Sequence, residues 1–171
     1  MCFSFEASIT TVIISWSIGF FLLSRNLDDY QRKNVIFLLI FSSMQIADSI
    51  LWYINMKKNR INYIVTSVLI PFILGLQIFY NIFIINKIRN PFITIAVFAY
   101  IVMIFRHMQG FSTKSKNFFD SPTWGGFEMS FIKMLLFFIL IFYGRIGLSG
   151  EKLYFFIICF FLEIIKIISF I

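Results

Sequence analysis

Six apolar runs follow one another along the 171-residue chain, and they restrict its fold more than any motif does. Each run comes near the ~20 residues that an α-helix needs to cross about 30 Å of hydrocarbon. Because the runs are continuously apolar and do not alternate with period two, they favour helices over a membrane β-barrel. The predicted spans are residues 8–24, 34–55, 61–85, 91–105, 130–144 and 152–171.

The composition excludes the soluble classes of protein. Hydrophobic residues make up 60% of the chain and charged residues 13%, against about 45–50% and about 25% in a typical soluble domain. So few charges cannot cover a water-facing surface, which argues against a soluble enzyme, a disordered tail or a nucleic-acid-binding domain. The sequence predicts an all-α fold: one integral membrane domain over residues 1–171, a polytopic bundle of about six spans (five to seven). Its loops are short except 106–129.

The net charge of +7 is explained by anchoring at the membrane surface. Basic residues lie between the apolar runs, at Arg32, Lys33, Lys57, Lys58, Arg60, Lys87 and Arg89. With six spans, the termini and the second and fourth loops share one side, here called face A, and the other loops lie on face B. Lys and Arg are almost equally divided between the faces, so the positive-inside rule assigns no orientation. The predicted location is a multi-pass position in a cellular or viral membrane.

The second span carries polar residues on one helical stripe. Gln45, Asp48 and Trp52 follow one another at spacings of three and four, so they share a face. A carboxylate inside a span costs roughly 2.5–3.5 kcal/mol on insertion scales, and it normally faces the bundle interior. Two interpretations stay open: Asp48 is a hydrogen-bonded packing element, or it carries charge or a proton in a site for a ligand or ion. In the second interpretation Gln45 orients Asp48 and Trp52 forms a wall.

Weaker candidates are spread over the chain. Gln77 and Asn81 share a face of the third span, where Pro71 predicts a kink. Glu163 and Lys166 lie three residues apart in the last span and can neutralise each other. The complete secondary set is Cys2, Glu6, Gln77, Asn81, His107, Glu163 and Lys166.

Neither a metal nor a cofactor is expected. His107 is the sole histidine, and no second His or Cys stands at ligand spacing, so a zinc or haem site has no support. Catalytic triads and phosphate-binding loops are also missing from the sequence. The expected partners are the lipid bilayer and either a second copy of the chain or another membrane protein, and not nucleic acid.

The N-terminal sequence MCFSFEAS and the second-span sequence SSMQIADSILW carry a resemblance. They resemble a family of uncharacterised multi-pass membrane proteins from bacteria, algae, protists and large DNA viruses. Its members begin Met-Cys-Phe/Trp-Ser, continue to an Ala-Ser or similar pair and carry a helix motif like Gln-x-x-Glu-x-x-x-Trp. Here Asp48 stands where the family motif has the longer Glu. The matching residues are Cys2, Ser4, Ala7, Ser8, Gln45, Asp48 and Trp52.

Three functions follow as hypotheses. The first is a bundle that binds or passes a small solute, ion or proton at a buried polar site around Asp48. The second is a structural or assembly protein of a cellular or virion membrane, in which the polar residues serve helix packing. The third and least favoured is a membrane enzyme that uses Cys2, Glu6 or His107.

Overall fold

The computed structural model describes residues 4–114, 122–124 and 131–142, and the regular secondary structure of these residues is helical apart from one short β-ladder. Cys2, Glu163, Lys166 and the predicted sixth span lie outside the described residues. The helices are α1 (Phe5–Leu23), α2 (Asp29–Ser42), α3 (Met44–Tyr53), α4 (Arg60–Ile64), α5 (Ile70–Phe79), α6 (Pro91–His107) and α7 (Phe131–Phe142). Two π-helical segments, π1 (Val65–Leu69) and π2 (Tyr80–Ile85), flank α5, and strands β1 (Thr113–Lys114) and β2 (Pro122–Thr123) pair with each other.

Three helical stretches are long and apolar enough to cross a membrane. They are Phe5–Leu23, Asp29–Tyr53 and Arg60–Ile85, with 19, 25 and 26 residues. At 1.5 Å per residue, the shortest spans about 28 Å. The two helices that follow are shorter, with 17 residues in α6 and 12 in α7. The helical class is therefore confirmed, whereas the count of six spans stays a prediction.

Capping residues explain where the first two helices begin. Ser4 precedes α1, and its Oγ accepts a hydrogen bond from the Ala7 amide at 3.1 Å. Asp28 and Gln31 form a reciprocal capping box at the start of α2. Because of this cap, α2 begins at Asp29, before the predicted apolar start at residue 34. The polar first turn of α2 is part of the helix.

The second long stretch is interrupted at Ser43, between α2 and α3. The hydroxyl groups of Ser42 and Ser43 both donate to the Leu39 carbonyl, at 3.2 and 2.8 Å. Such bonds compete with the helix's own amide donors and bend helices. The sequence predicted one unbroken run here, and the serine pair explains the difference.

Pro71 lies in the first turn of α5, directly after π1. Proline lacks an amide hydrogen and clashes with the carbonyl four residues earlier, so it cannot sit in a regular helix interior. The π-helical segment π1 ends just before α5, so the helical winding departs from regular α-helix next to the proline. The predicted kink therefore coincides with a change of helical winding inside one continuous stretch.

The core lies between α3, the α5–π2 stretch and α6. Fully buried apolar side chains from these elements pack there, while α1 and α6 expose large apolar side chains such as Ile13 and Phe92. Hydrocarbon tails are the natural cover for such a surface. The side chains with 0% exposure include Ala47, Leu51, Ile70, Ile78, Ile82 and Ile104.

α1 packs on the bundle through small residues. Its buried positions are Ser8, Val12 and Gly19. A Cβ atom at Gly19 would lie 2.4 Å from Leu39 Cδ2 on α2, closer than van der Waals contact allows. The absence of a side chain at Gly19 therefore sets how closely α1 approaches α2.

Replacing Gly19→Leu should separate α1 from α2 and lower the free energy of unfolding by ~1–3 kcal/mol, as overpacking commonly does. Thermal unfolding of the detergent-solubilised protein measures this. Ser17→Leu adds the same side chain at an exposed position of α1 and serves as the matched control. Equal stability of the two variants would contradict the close packing of α1 on α2 at Gly19.

Candidate functional site

Asp48 is almost completely buried, with 1% of its surface exposed. Its neighbours on α3, Ala47 and Leu51, are fully buried and apolar. Trp124 donates a hydrogen bond from its indole Nε1 to Asp48 Oδ1 at 3.3 Å. The carboxylate is thus held in the interior of the bundle and contacted by a residue far away in sequence.

A short β-hairpin brings Trp124 to this position. β1 and β2 pair antiparallel with Thr113 opposite Thr123, and the two threonine hydroxyls lie 2.8 Å apart. Trp124 follows β2 directly. On the opposite strand, Lys114 Nζ lies 5.2 Å from the centroid of the Trp52 ring. Asp48 and Trp52 are one helical turn apart, so the hairpin contacts one face of α3 at two points.

Three fully buried polar residues anchor the chain just before the hairpin. Asn62, Thr66 and Ser112 are each 0% exposed. Asn62 Nδ2 donates to the Ser112 carbonyl at 2.9 Å, and Asn62 Oδ1 accepts from the Ser112 amide at 2.8 Å and from the Thr66 hydroxyl at 3.0 Å. The Thr66 and Ser112 hydroxyls lie 2.7 Å apart. This network fixes Ser112, and hence the start of β1, on α4 and π1.

A second connection lies beside this network. The Gly110 amide donates to Ser67 Oγ at 3.1 Å, and the Ser67 hydroxyl points back to the Gly110 carbonyl at 3.3 Å. Gly110 has a φ of 134°, which side-chain-bearing residues rarely adopt. The turn between α6 and the hairpin therefore requires glycine here.

Three other predicted site residues lie at the same end of the bundle and are less buried than Asp48. Gln45 is half-buried on α3, one turn before Ser49. Glu6 lies in the first turn of α1 and is exposed. His107 is also exposed, and its Nδ1 lies 2.9 Å from the carbonyl of Met103 in its own helix. Glu6 and His107 thus lie on the outside of the bundle, whereas Asp48 lies inside it.

Gln77 and Asn81 are buried deeper along the third stretch, at 1% and 0% exposure. Asn81 Nδ2 donates to the Leu140 carbonyl at 2.8 Å, which ties π2 to α7. Asn86 Nδ2 lies 3.3 Å from Asn81 Oδ1. Within the described residues, Gln77 Nε2 has no hydrogen-bond partner. These two amides therefore differ: one crosslinks helices and the other is a buried, unsatisfied donor.

In the described part of the chain, no cluster of three or more His, Cys, Asp and Glu side chains could hold a metal ion. Comparisons with models of protein families, with curated proteins and with solved structures find no match to this chain. Function is therefore argued from the geometry around Asp48, and the family resemblance stays a prediction.

The sequence did not predict Asn62, Ser112, Lys114 or Trp124 as site residues. Asn62 and Thr66 stand at an i, i+4 spacing, which was a detectable local signal. Their partner Ser112 is 50 residues away from Asn62, and local periodicity carries no information about such a contact.

Trp124→Phe should remove the hydrogen bond to Asp48 and keep most of the ring. Loss of a hydrogen bond to a charged buried group lowers the free energy of unfolding by ~1–3 kcal/mol. The matched control is Trp16→Phe, because in the described residues the buried Trp16 Nε1 has no acceptor. We expect a clear loss of thermal stability for Trp124→Phe only. Equal effects would contradict the Trp124–Asp48 contact.

Gln77→Met should leave the stability unchanged or raise it by about 1 kcal/mol, because an unsatisfied buried donor is replaced by an apolar chain of similar length. Asn81→Leu removes a satisfied amide and should destabilise the protein. Thermal unfolding of both variants tests this contrast. A marked loss of stability in Gln77→Met would mean that Gln77 has a polar partner.

Proposed function

We propose that this chain is an integral membrane protein that binds or passes a small cation or a proton at Asp48. The observation that supports the proposal is a carboxylate, 1% exposed on an apolar helix, contacted by the Trp124 indole at the face-A end of the bundle. Asp48 holds the charge or the proton, Trp52 forms part of the wall, and the hairpin covers both.

The chemistry of the contact explains why a cation or proton suits the site. An ionised carboxylate in an apolar interior carries a large desolvation penalty. The Trp124 indole donates a hydrogen bond to this carboxylate and carries no charge itself. A bound cation or proton neutralises the carboxylate fully. The site thus favours a positively charged small ligand over an anion.

The aromatic walls support the same class of ligand. Lys114 lies over the Trp52 ring in a cation–π arrangement, so a positive charge is already accommodated one turn from Asp48. An entering cation can exchange with the Lys114 ammonium at this ring. Lys114 and Trp124 are the two residues that the hairpin brings to this face of α3, and we propose that the ligand enters beside them.

A structural or assembly role is the alternative, and the amides support it. Asn62 and Asn81 use their side chains in hydrogen bonds that crosslink separate parts of the bundle. Polar residues inside membrane helices commonly serve packing in this way. In that case the Trp124–Asp48 hydrogen bond is one more crosslink.

Asp48→Asn separates the two functions, because an amide oxygen still accepts the hydrogen bond from Trp124 but carries no charge. We expect the variant to fold and to lose uptake of protons, Na⁺ and K⁺ into proteoliposomes, measured with entrapped pH- and cation-sensitive dyes. Asp48→Glu keeps the charge and should retain part of the uptake. Asp28→Asn changes an exposed carboxylate that caps α2 and is the matched control.

Full uptake by folded Asp48→Asn would overturn the transport proposal and favour the structural role. The same holds if the unaltered protein mediates no uptake and isothermal calorimetry detects no Asp48-dependent binding of protons or cations.

A further inference from the structure

A second polar feature lies at the other end of the bundle, on face B. An open cleft of about 460 Å³ is formed where α2 meets π2 and the turn that follows it. Three of its six lining residues are cationic and three are apolar. The lining residues are Lys33, Phe83, Ile84, Lys87, Ile88 and Arg89.

The turn after π2 carries two of the three cations of the cleft, Lys87 and Arg89. The Asn86 amide and its side-chain Nδ2 both donate to the Asn81 carbonyl, at 3.1 and 2.8 Å. Lys87 then adopts a left-handed backbone conformation with φ of 53°, and the Ile88 amide donates back to the Ile82 carbonyl at 3.1 Å. The chain is therefore folded back over the helix end, and this carries Lys87 and Arg89 to the cleft.

The charge of the cleft is positive even when its acidic neighbour is included. Lys33 pairs with Asp29 one turn earlier on α2, and Asp29 also lies near Lys87. The Asp29 side chain is 75% exposed, whereas that of Lys33 is 19% exposed. Three cations thus face one carboxylate, and Lys87 and Arg89 stay exposed. The remaining positive charge is available to an anion.

The apolar half of the lining shows which anion fits. π2 ends the 26-residue membrane-length stretch Arg60–Ile85, so the cleft opens where the membrane surface is expected. Below it, the Phe79 and Phe83 rings lie 5.0 Å apart, and Phe83 lies 6.1 Å from Phe98 of α6. An apolar wall therefore continues from the cations into the hydrocarbon depth. A free phosphate would contact only the cationic residues and would leave the apolar wall uncovered.

We propose that the cleft binds one anionic phospholipid, with its phosphate among Lys33, Lys87 and Arg89 and an acyl chain against Phe83 and Ile84. Basic pockets between membrane helices bind such headgroups. This site is independent of Asp48, since it lies at the opposite end of the bundle and shares no residue with the site there.

The test uses the full chain in nanodiscs of phosphatidylcholine with a titrated fraction of phosphatidylglycerol, and lipid retention is measured by native mass spectrometry. Lys87→Asn with Arg89→Gln removes two cations, and Asn tolerates the left-handed conformation at position 87. Lys58→Asn with Arg60→Gln removes a Lys and an Arg at the same spacing from the face-A turn. We expect the first variant to lose phosphatidylglycerol affinity roughly tenfold or more, and the second to retain it.

Three results would overturn the proposal. Equal loss in both double variants would mean diffuse surface attraction, and equal retention of phosphatidylcholine would mean no headgroup recognition. Competition by millimolar inorganic phosphate as effective as that by the lipid would mean a free-phosphate site. If Lys87→Asn/Arg89→Gln does not fold, Lys33→Gln on α2 provides the same test, and unchanged phosphatidylglycerol affinity in that variant would also contradict the proposal.

Discussion

The burial of one carboxylate in an apolar helix is the constraint on which the face-A end of this structure depends. Asp48 is 1% exposed, and the Trp124 indole that contacts it is 76 residues away along the chain. A buried charge without a hydrogen-bond partner is strongly destabilising. The hydrogen bond from Trp124 holds the end of the hairpin against α3, and the buried hydrogen bonds of Ser112 with Asn62 position its first strand.

The sequence predicted those features that depend on local spacing. Apolar run length predicted the helices, and the spacing of Gln45, Asp48 and Trp52 predicted one stripe on α3. The observed start of α2 and the break at Ser43 differ from the predicted span, because side-chain hydrogen bonds of Asp28 and Ser43 determine them. Contacts between distant residues, such as that of Trp124 with Asp48, were not predictable, because helical periodicity fixes a face and not its partner.

The charged residues of the two proposed sites differ in sign and in exposure to solvent. At face A, the Asp48 carboxylate is buried and accepts a hydrogen bond from Trp124, which follows the second strand of the hairpin. At face B, Lys87 and Arg89 stay exposed beside an apolar wall. An enclosed charge selects small ligands, because anything larger requires the covering segment to move. We therefore propose a large amphipathic anion for the open basic cleft and a small cation or a proton for the buried carboxylate.

A comparison of Asp48 with the buried amides of Asn62 and Asn81 indicates what a carboxylate contributes beyond a hydrogen bond. Asn62 and Asn81 show that neutral amides suffice to crosslink this bundle, since each donates to a backbone carbonyl of another segment. An asparagine at position 48 would accept the Trp124 hydrogen bond equally and would avoid the cost of burying a charge. The hydrogen bond from Trp124 alone therefore does not require an acid there. In the function that we propose, the acid adds the ability to hold a proton or a cation.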